Sequence, residues 1–219
     1  MVIQLFGHPF SSYTWKAEIA FYENDTPFEF RMVDPEHPEN GAELSRRSAV
    51  GKFPLLVDGD TAVFEATAII EYIEAEHPGP VRLIPANPEA AVKVRMMDRV
   101  FDNYVMNVMT VMVGNALRPE EHRDPYGVER ARADLDRIYA WLDGELAGRD
   151  WACGADFTLA DCAAAPSLFY ADWVHPIAEK HTALKAYRGR LMARPSVARC
   201  IDDARPYRAY FPLGAPDRD

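Results

Sequence analysis

Cysteine is scarce: the chain has three in 219 residues, Cys153, Cys162 and Cys200, and none before position 153. An odd, late and widely spaced set supplies neither a disulfide framework nor a metal-ligand pattern, and it fits a reducing compartment. Positive charge is also in deficit, with 24 Lys and Arg against 34 Asp and Glu and a formal net charge of −10. Nucleic acids and anionic membranes both call for a basic surface, so neither is an expected partner. No apolar run approaches the ~18 residues of a membrane span. The opening MVIQLFGHPF lacks the basic start and long apolar stretch of a signal peptide. The expectation is a cytoplasmic protein with no bound metal. Internal repeats and low-complexity tracts are absent as well.

What is present is ordinary globular composition, 48% hydrophobic and 26% charged, in a chain long enough to bury a core. Val2 to Phe6 is a short apolar run closed by Gly7, His8 and Pro9, which predicts a buried strand ending in a loop. Helical spacing begins near Thr14, through Trp15, Ile19, Ala20 and Phe21, and stops around Asn24 and Asp25. Phe28 to Val33 alternates apolar and polar, a second strand, so the opening is a βαβ unit with parallel pairing. Pro35 to Gly41 reads as a polar loop, with a weak helix from Ala42 to Ser48. Two short strands then flank the Asp58-Gly59 turn, a hairpin signal. Periodicity resumes from Glu65 to His77, where Pro78-Gly79-Pro80 ends it.

After the Pro-containing segment Val81 to Pro88 the pattern changes. No strand is expected from Glu89 onward. Val128, Ala131, Leu135, Ile138 and Leu142 mark one face of a long amphipathic helix. Thr158 is the expected N-cap of a further helix, with Asp161 at its third position and Phe157 and Cys162 as a hydrophobic staple. Smaller helices are expected over 182–192 and 196–204. A switch from βαβ units to pure helices marks a domain boundary: residues 1–80, a linker over 81–88, and an all-α domain over 89–219.

This order, β-α-β-α-β-β-α followed by helices, resembles the glutathione transferase superfamily along essentially the whole chain. Three local matches carry the resemblance: Ser11-Ser12-Tyr13-Thr14-Trp15-Lys16, similar to the serine-containing helix opening of the zeta and theta classes; Gly51-Lys52-Phe53-Pro54-Leu55-Leu56 followed by Phe64-Glu65-Ala66-Thr67-Ala68-Ile69-Ile70; and the Phe157-Thr158-Leu159-Ala160-Asp161 capping box. The resemblance implies a thioredoxin-like N-terminal domain, an all-helical C-terminal domain, and a serine-type member of bacterial style. It also implies glutathione as co-substrate, a small hydrophobic electrophile as partner, and a homodimer formed through the third, fourth and fifth helices.

The chemistry follows from the thiol. A cysteine-type thiol titrates near pH ~8.5, and lowering that by about two units takes roughly 2.7 kcal/mol. One hydroxyl donating to the thiolate contributes ~1.5–3 kcal/mol and a helix N-terminus ~0.3–1 kcal/mol, so a serine where strand passes into helix suffices without a base. Ser11 is the expected activator, with Ser12 its near rival and Thr14 and Tyr13 behind them. A serine there also serves as a plain helix cap. Phe6, where tyrosine classes carry their phenol, has no hydroxyl, and the N-terminal domain has no cysteine for a thioredoxin- or omega-type mechanism.

Glutathione would be held by Lys52, Phe53, Pro54, Glu65 and Ala66. The resemblance makes the Phe53-Pro54 bond cis, with Phe53 offering its backbone to the cysteinyl unit. Glu65 would take the γ-glutamyl ammonium, and the N–H groups opening the next helix its carboxylate. Lys52 would meet the glycyl carboxylate, with His37 and Arg46 as weaker candidates. Two departures stand out: Ala66 replaces the family's usual serine, costing about 0.5–1.5 kcal/mol of binding unless Thr67 compensates, and Ser48-Ala49 replaces Asn-Pro. For the electrophile pocket the expected lining is Phe10, Tyr104, Met112, Tyr207, Tyr210 and Phe211, with Met96, Met97, Met106 and Met109 either adding a soft wall or filling helix packing. Two other functions are open: a non-catalytic binding or interaction protein, favoured by Ala66, and a glutathione-dependent isomerase of maleyl-type acids, disfavoured by Tyr13 standing where zeta-like members have cysteine.

Overall fold

The computed structural model describes residues 2–219. Its N-terminal part is a four-stranded mixed sheet, β1 (Ile3–Gly7), β2 (Phe28–Met32), β3 (Leu55–Asp58) and β4 (Thr61–Phe64), in the order β2-β1-β3-β4. β1 pairs parallel with β2 and antiparallel with β3, and β3 pairs antiparallel with β4. Helices α1 (Ser12–Glu23), α2 (Pro38–Arg47) and α3 (Ala66–Glu76) cover the sheet. Ile3 and Leu5 of β1 pack with Ala17, Phe21, Ile69 and Ile73 of α1 and α3, whereas Phe6, Leu55 and Val57 pack with Leu44 of α2. The pleat sends alternate residues to opposite faces, and both faces are buried.

α2 begins four residues before the expected start of Ala42, because Pro38 occupies its first turn, where a missing N–H costs nothing. Asn40, which with Gly41 read as loop, is buried inside the helix, its Nδ2 donating to Met32 O at 2.7 Å. α1 likewise starts two residues earlier than expected, at Ser12. The hairpin turn is as expected, with Gly59 in the left-handed region at φ +58°.

From Pro88 onward the only strand-like feature is an isolated Trp151–Gly154 bridge. α4 (Pro88–Val100) runs through a π-helical turn (Phe101–Met106) into α5 (Asn107–Ala116) as one continuous rod. α6 (Pro125–Leu146), α7 (Leu159–Val174), α8 (Thr182–Ala193) and α9 (Pro195–Ala204) follow, and a 3-10 turn over Arg205–Tyr210 leads to the C-terminal segment. This is the expected mixed-sheet, thioredoxin-like domain followed by an all-α bundle. α7 is the central rod, buried at every position from Leu159 to Ala171, and it packs against α1, α4, α8 and the π-helical turn. Its start is set by Asp161, whose carboxylate accepts from Thr158 N (2.9 Å), Thr158 Oγ1 (3.0 Å), Ala152 N (2.8 Å) and Tyr187 Oη (2.6 Å). No helix among the described residues is long and apolar enough to cross a membrane.

Candidate functional site

The register Phe6↔Leu55 puts the end of β1 beside the start of β3. The loop that opens α1 and the segment ending in Pro54 therefore emerge side by side, and the start of α3 follows from the hairpin. Gly7 lets the first turn of α1 lie close against the end of β1: a Cβ there would lie 2.5 Å from Thr14 Cγ2. The Phe53-Pro54 bond is cis.

These segments enclose a cleft of about 310 Å³. Its sheet-side wall is made by Lys52, Phe53, Pro54, Glu65 and Ala66, all five residues expected to hold glutathione. Glu65 caps α3 with φ +74° and ψ 117°, a backbone conformation that L residues rarely adopt and that concentrates at functional sites. Ala66 is buried behind it, opening the helix with its N–H groups toward the cleft end.

The helical wall was not anticipated. Arg99, Asn103 and Asn107 are spaced by four along the α4–α5 rod, and with Asp102 they close the cleft opposite Glu65. Asp102 belongs to a buried cluster in which Lys16, 1% exposed, pairs with Asp98 at 2.6 Å and Asp102 at 2.7 Å and donates to Thr67 Oγ1 at 2.8 Å. Arg99 closes the cluster from outside, against Asp98 and Thr67. Burial holds the Asp102 carboxyl above its usual range, with Lys16 pulling the other way. Thr67 is thereby committed to Lys16 and Asp98 (3.1 Å). The signal that could have found this wall was Lys16 itself, a lysine inside an apolar helix face, which demands buried acids.

The two serines stand beside the cleft and do not line it. Ser11 caps α1, its Oγ accepting from Thr14 N at 3.3 Å, which leaves its own proton free to donate. Ser12 is the first residue of the helix. Tyr13 does line the cleft: its hydroxyl donates to Asn107 Oδ1 at 3.2 Å, and burial, with Asp102 and Glu65 nearby, pushes the phenol up to about 12.

Of the weaker glutathione candidates, His37 is occupied by Asp34 at 2.7 Å and Arg46 by Glu43 at 2.7 Å, both away from the cleft. The expected electrophile pocket does not assemble as a set. Phe10 joins Tyr170, Trp173 and Phe211 in an aromatic cluster, and its carbonyl accepts from Tyr170 Oη at 3.0 Å. Tyr207 lies edge-on to His8 at 4.7 Å, where burial lowers the imidazole's pKa. Tyr210 is 73% exposed. Met112 is a correction: it is buried in the helical core with Met97, Met106 and Met109, while Met96 faces outward. Tyr104 is another, turned by the helical rod into a separate groove with Ile138 and Trp141 of α6. Placing these two required the rotation of the rod, which the π-helical turn changes.

Comparison with known proteins places both parts of the chain. Residues 5–81 match the profile of the glutathione S-transferase N-terminal domain, and residues 125–190 that of its C-terminal domain. Glutathione S-transferase GstB of Escherichia coli is 26% identical over 204 residues, covering 91% of this chain and 98% of that protein. A stringent starvation protein A homolog of Coxiella burnetii is 27% identical over 169 residues, 77% of this chain and 75% of its own. A solved glutathione S-transferase of Methylobacterium radiotolerans, in complex with glutathione sulfonate, superposes with a TM-score of 0.79 at 27% identity, over 92% of this chain and 95% of that one. With both domain profiles matched in order on one chain, the protein belongs to the glutathione S-transferase superfamily.

Proposed function

We propose that the cleft binds glutathione and presents its thiol to a small hydrophobic electrophile, the protein acting as a glutathione S-transferase of the cytoplasm. The observation that carries this is the convergence of five residues on one wall: Lys52, the cis Phe53-Pro54 pair, and Glu65-Ala66 at the start of α3. A tripeptide with two carboxylates and an ammonium needs charges of both signs, and Lys52, Arg99, Glu65 and Asp102 supply them. Phe53 offers backbone groups to the cysteinyl unit, and the α3 N-terminus takes the γ-glutamyl carboxylate. Ser11 is the thiol activator in this reading, because its proton is free while its oxygen caps α1; Ser12 remains the rival. We divide the chain into a glutathione-binding domain over 1–80, a linker over 81–88 and a helical domain over 89–219, and assign a homodimer, for which exposed Val92 and Met96 of α4 offer apolar surface. The test is calorimetric titration with glutathione. Binding at micromolar to low-millimolar levels, tightened about 3- to 10-fold by Ala66→Ser through one added hydrogen bond, supports the reading; no binding in either protein overturns it.

A second reading is a non-catalytic interaction protein on the same fold. It is favoured by Ala66 and by Thr67 being spent in the buried cluster. Absent binding in the same titration selects it.

A further inference from the structure

This inference rests on the cleft being a glutathione site. Among the described side chains that line the cleft, Tyr13 alone carries a hydroxyl. It sits at the second position of α1, and its proton points across to the helical wall, to Asn107 Oδ1. At 3.2 Å that bond is long for an O–H donor, which prefers about 2.7–2.8 Å, so the proton is loosely held and turns readily to a stronger acceptor. Asn107 Nδ2 faces Asn103 Oδ1 at 3.4 Å, so the acceptor side of the cleft is edged by a phenol and two amides, not by the apolar side chains a bare hydrocarbon would select. Burial and the two nearby carboxylates keep the phenol protonated at neutral pH, which makes it a donor and not a base.

We propose that Tyr13 is the specificity-determining donor of this site, holding the carbonyl oxygen of a conjugated enone or enal while the glutathione sulfur adds to it. In the step, the thiolate lone pair forms the C–S bond at the β-carbon. The C=C π pair moves toward the carbonyl carbon, and the C=O π pair moves onto oxygen. Tyr13 donates a hydrogen bond to that oxygen and keeps its proton, and the donation strengthens as the oxygen becomes anionic. The enolate then takes one proton from water at the α-carbon, which balances the proton lost when the thiol ionised. No oxidant or leaving group is involved. A displacement at an alkyl halide develops no such oxygen and gains nothing from the phenol. Ser11 at the sulfur and Tyr13 at the acceptor thus divide the two ends of the reaction.

The experiment measures kcat/KM with cyclohexenone and with benzyl chloride, for wild type, Tyr13→Phe and Asn107→Ala, together with glutathione affinity and the pKa of the bound thiol from thiolate absorbance. Tyr13→Phe is expected to lower the enone-to-halide ratio about 100-fold, the usual effect of deleting one oxyanion donor. The bound-thiol pKa is expected to stay in place. Asn107→Ala, which frees the phenol proton, is expected to hold the ratio at or above wild type. An unchanged ratio in Tyr13→Phe overturns the proposal, as does a raised thiol pKa, which would move the phenol to the sulfur. A ratio that collapses in Asn107→Ala also overturns it, because the amide would then be the donor. Loss of all glutathione binding by wild type overturns the underlying reading instead.

Discussion

At the scale of single residues, Ser11 holds two assignments that mutation can separate. Its oxygen caps α1 through Thr14 N, so Ser11→Ala is expected to cost about 1 kcal/mol in denaturant unfolding, as well as to raise the pKa of any bound thiol. Ser12→Ala, at the first helical position, leaves the unfolding midpoint near wild type. Residue-level reading of the sequence brought residues to one cleft where the motif was local. Lys52 to Pro54 and Glu65-Ala66 each lie on a short turn, and strand pairing alone brings the turns together. It failed at Met112 and Tyr104, because a residue on a long helix faces wherever the rotation of the preceding turns sends it. It was also silent about the backbone of Glu65, since nothing in a glutamate announces a φ of +74°.

At the scale of elements, α7 shows how one side chain can fix a helix. Asp161 is fully buried, and four donors from the α7 start, the preceding loop and α8 end on it. Burial raises its pKa, while those donors hold the ionised form. Asp161→Ala would orphan the Thr158 and Ala152 N–H groups and the Tyr187 hydroxyl together, and a stability loss of at least about 3 kcal/mol is expected by urea unfolding. The capping box was legible because Thr158 and Asp161 are three residues apart, whereas Tyr187 and Ala152 reach the same carboxylate through tertiary structure alone. The start of α2 and the π-helical turn were not legible for a related reason. Asn40 and Gly41 have loop propensities, and burial against Met32 overrides them. The extra residue in the turn lets Phe101, Asp102, Val105 and Met106 all stay buried while Asn103 and Tyr104 stay out, a choice made by packing and not by periodicity.

At the scale of the whole molecule, α1 is the main packing contact between the sheet and the bundle, through α7 and α9. One of its side chains toward α9 is Glu18, 5% exposed, with Tyr22 Oη at 3.3 Å and Arg199 and Asp203 of α9 close by. Desolvation, reinforced by Asp203, lifts its carboxyl from 4.5 to about 8. The folded chain then binds a proton there that the unfolded chain releases, so the stabilisation is complete below about pH 4.5 and is lost as the pH rises to about 8. A tenfold change in proton affinity corresponds to ~1.4 kcal/mol, so the loss amounts to a few kcal/mol. Glu18→Gln is expected to flatten the fall in stability between about pH 5 and pH 8, read from denaturant midpoints across pH.

Phe10 has a consequence of a different kind. Its ring and carbonyl are held by Tyr170, Trp173 and Phe211, so the loop that opens α1 is built into the same aromatic block that supports α7. Asn103 and Asn107, across the cleft, are exposed and rest on little else. Divergence toward new substrates therefore has one permissive side and one forbidden side. Variants that retune the asparagine edge can accumulate at small cost to folding, and those that reshape the Phe10 edge are purged before selection ever tests what they bind.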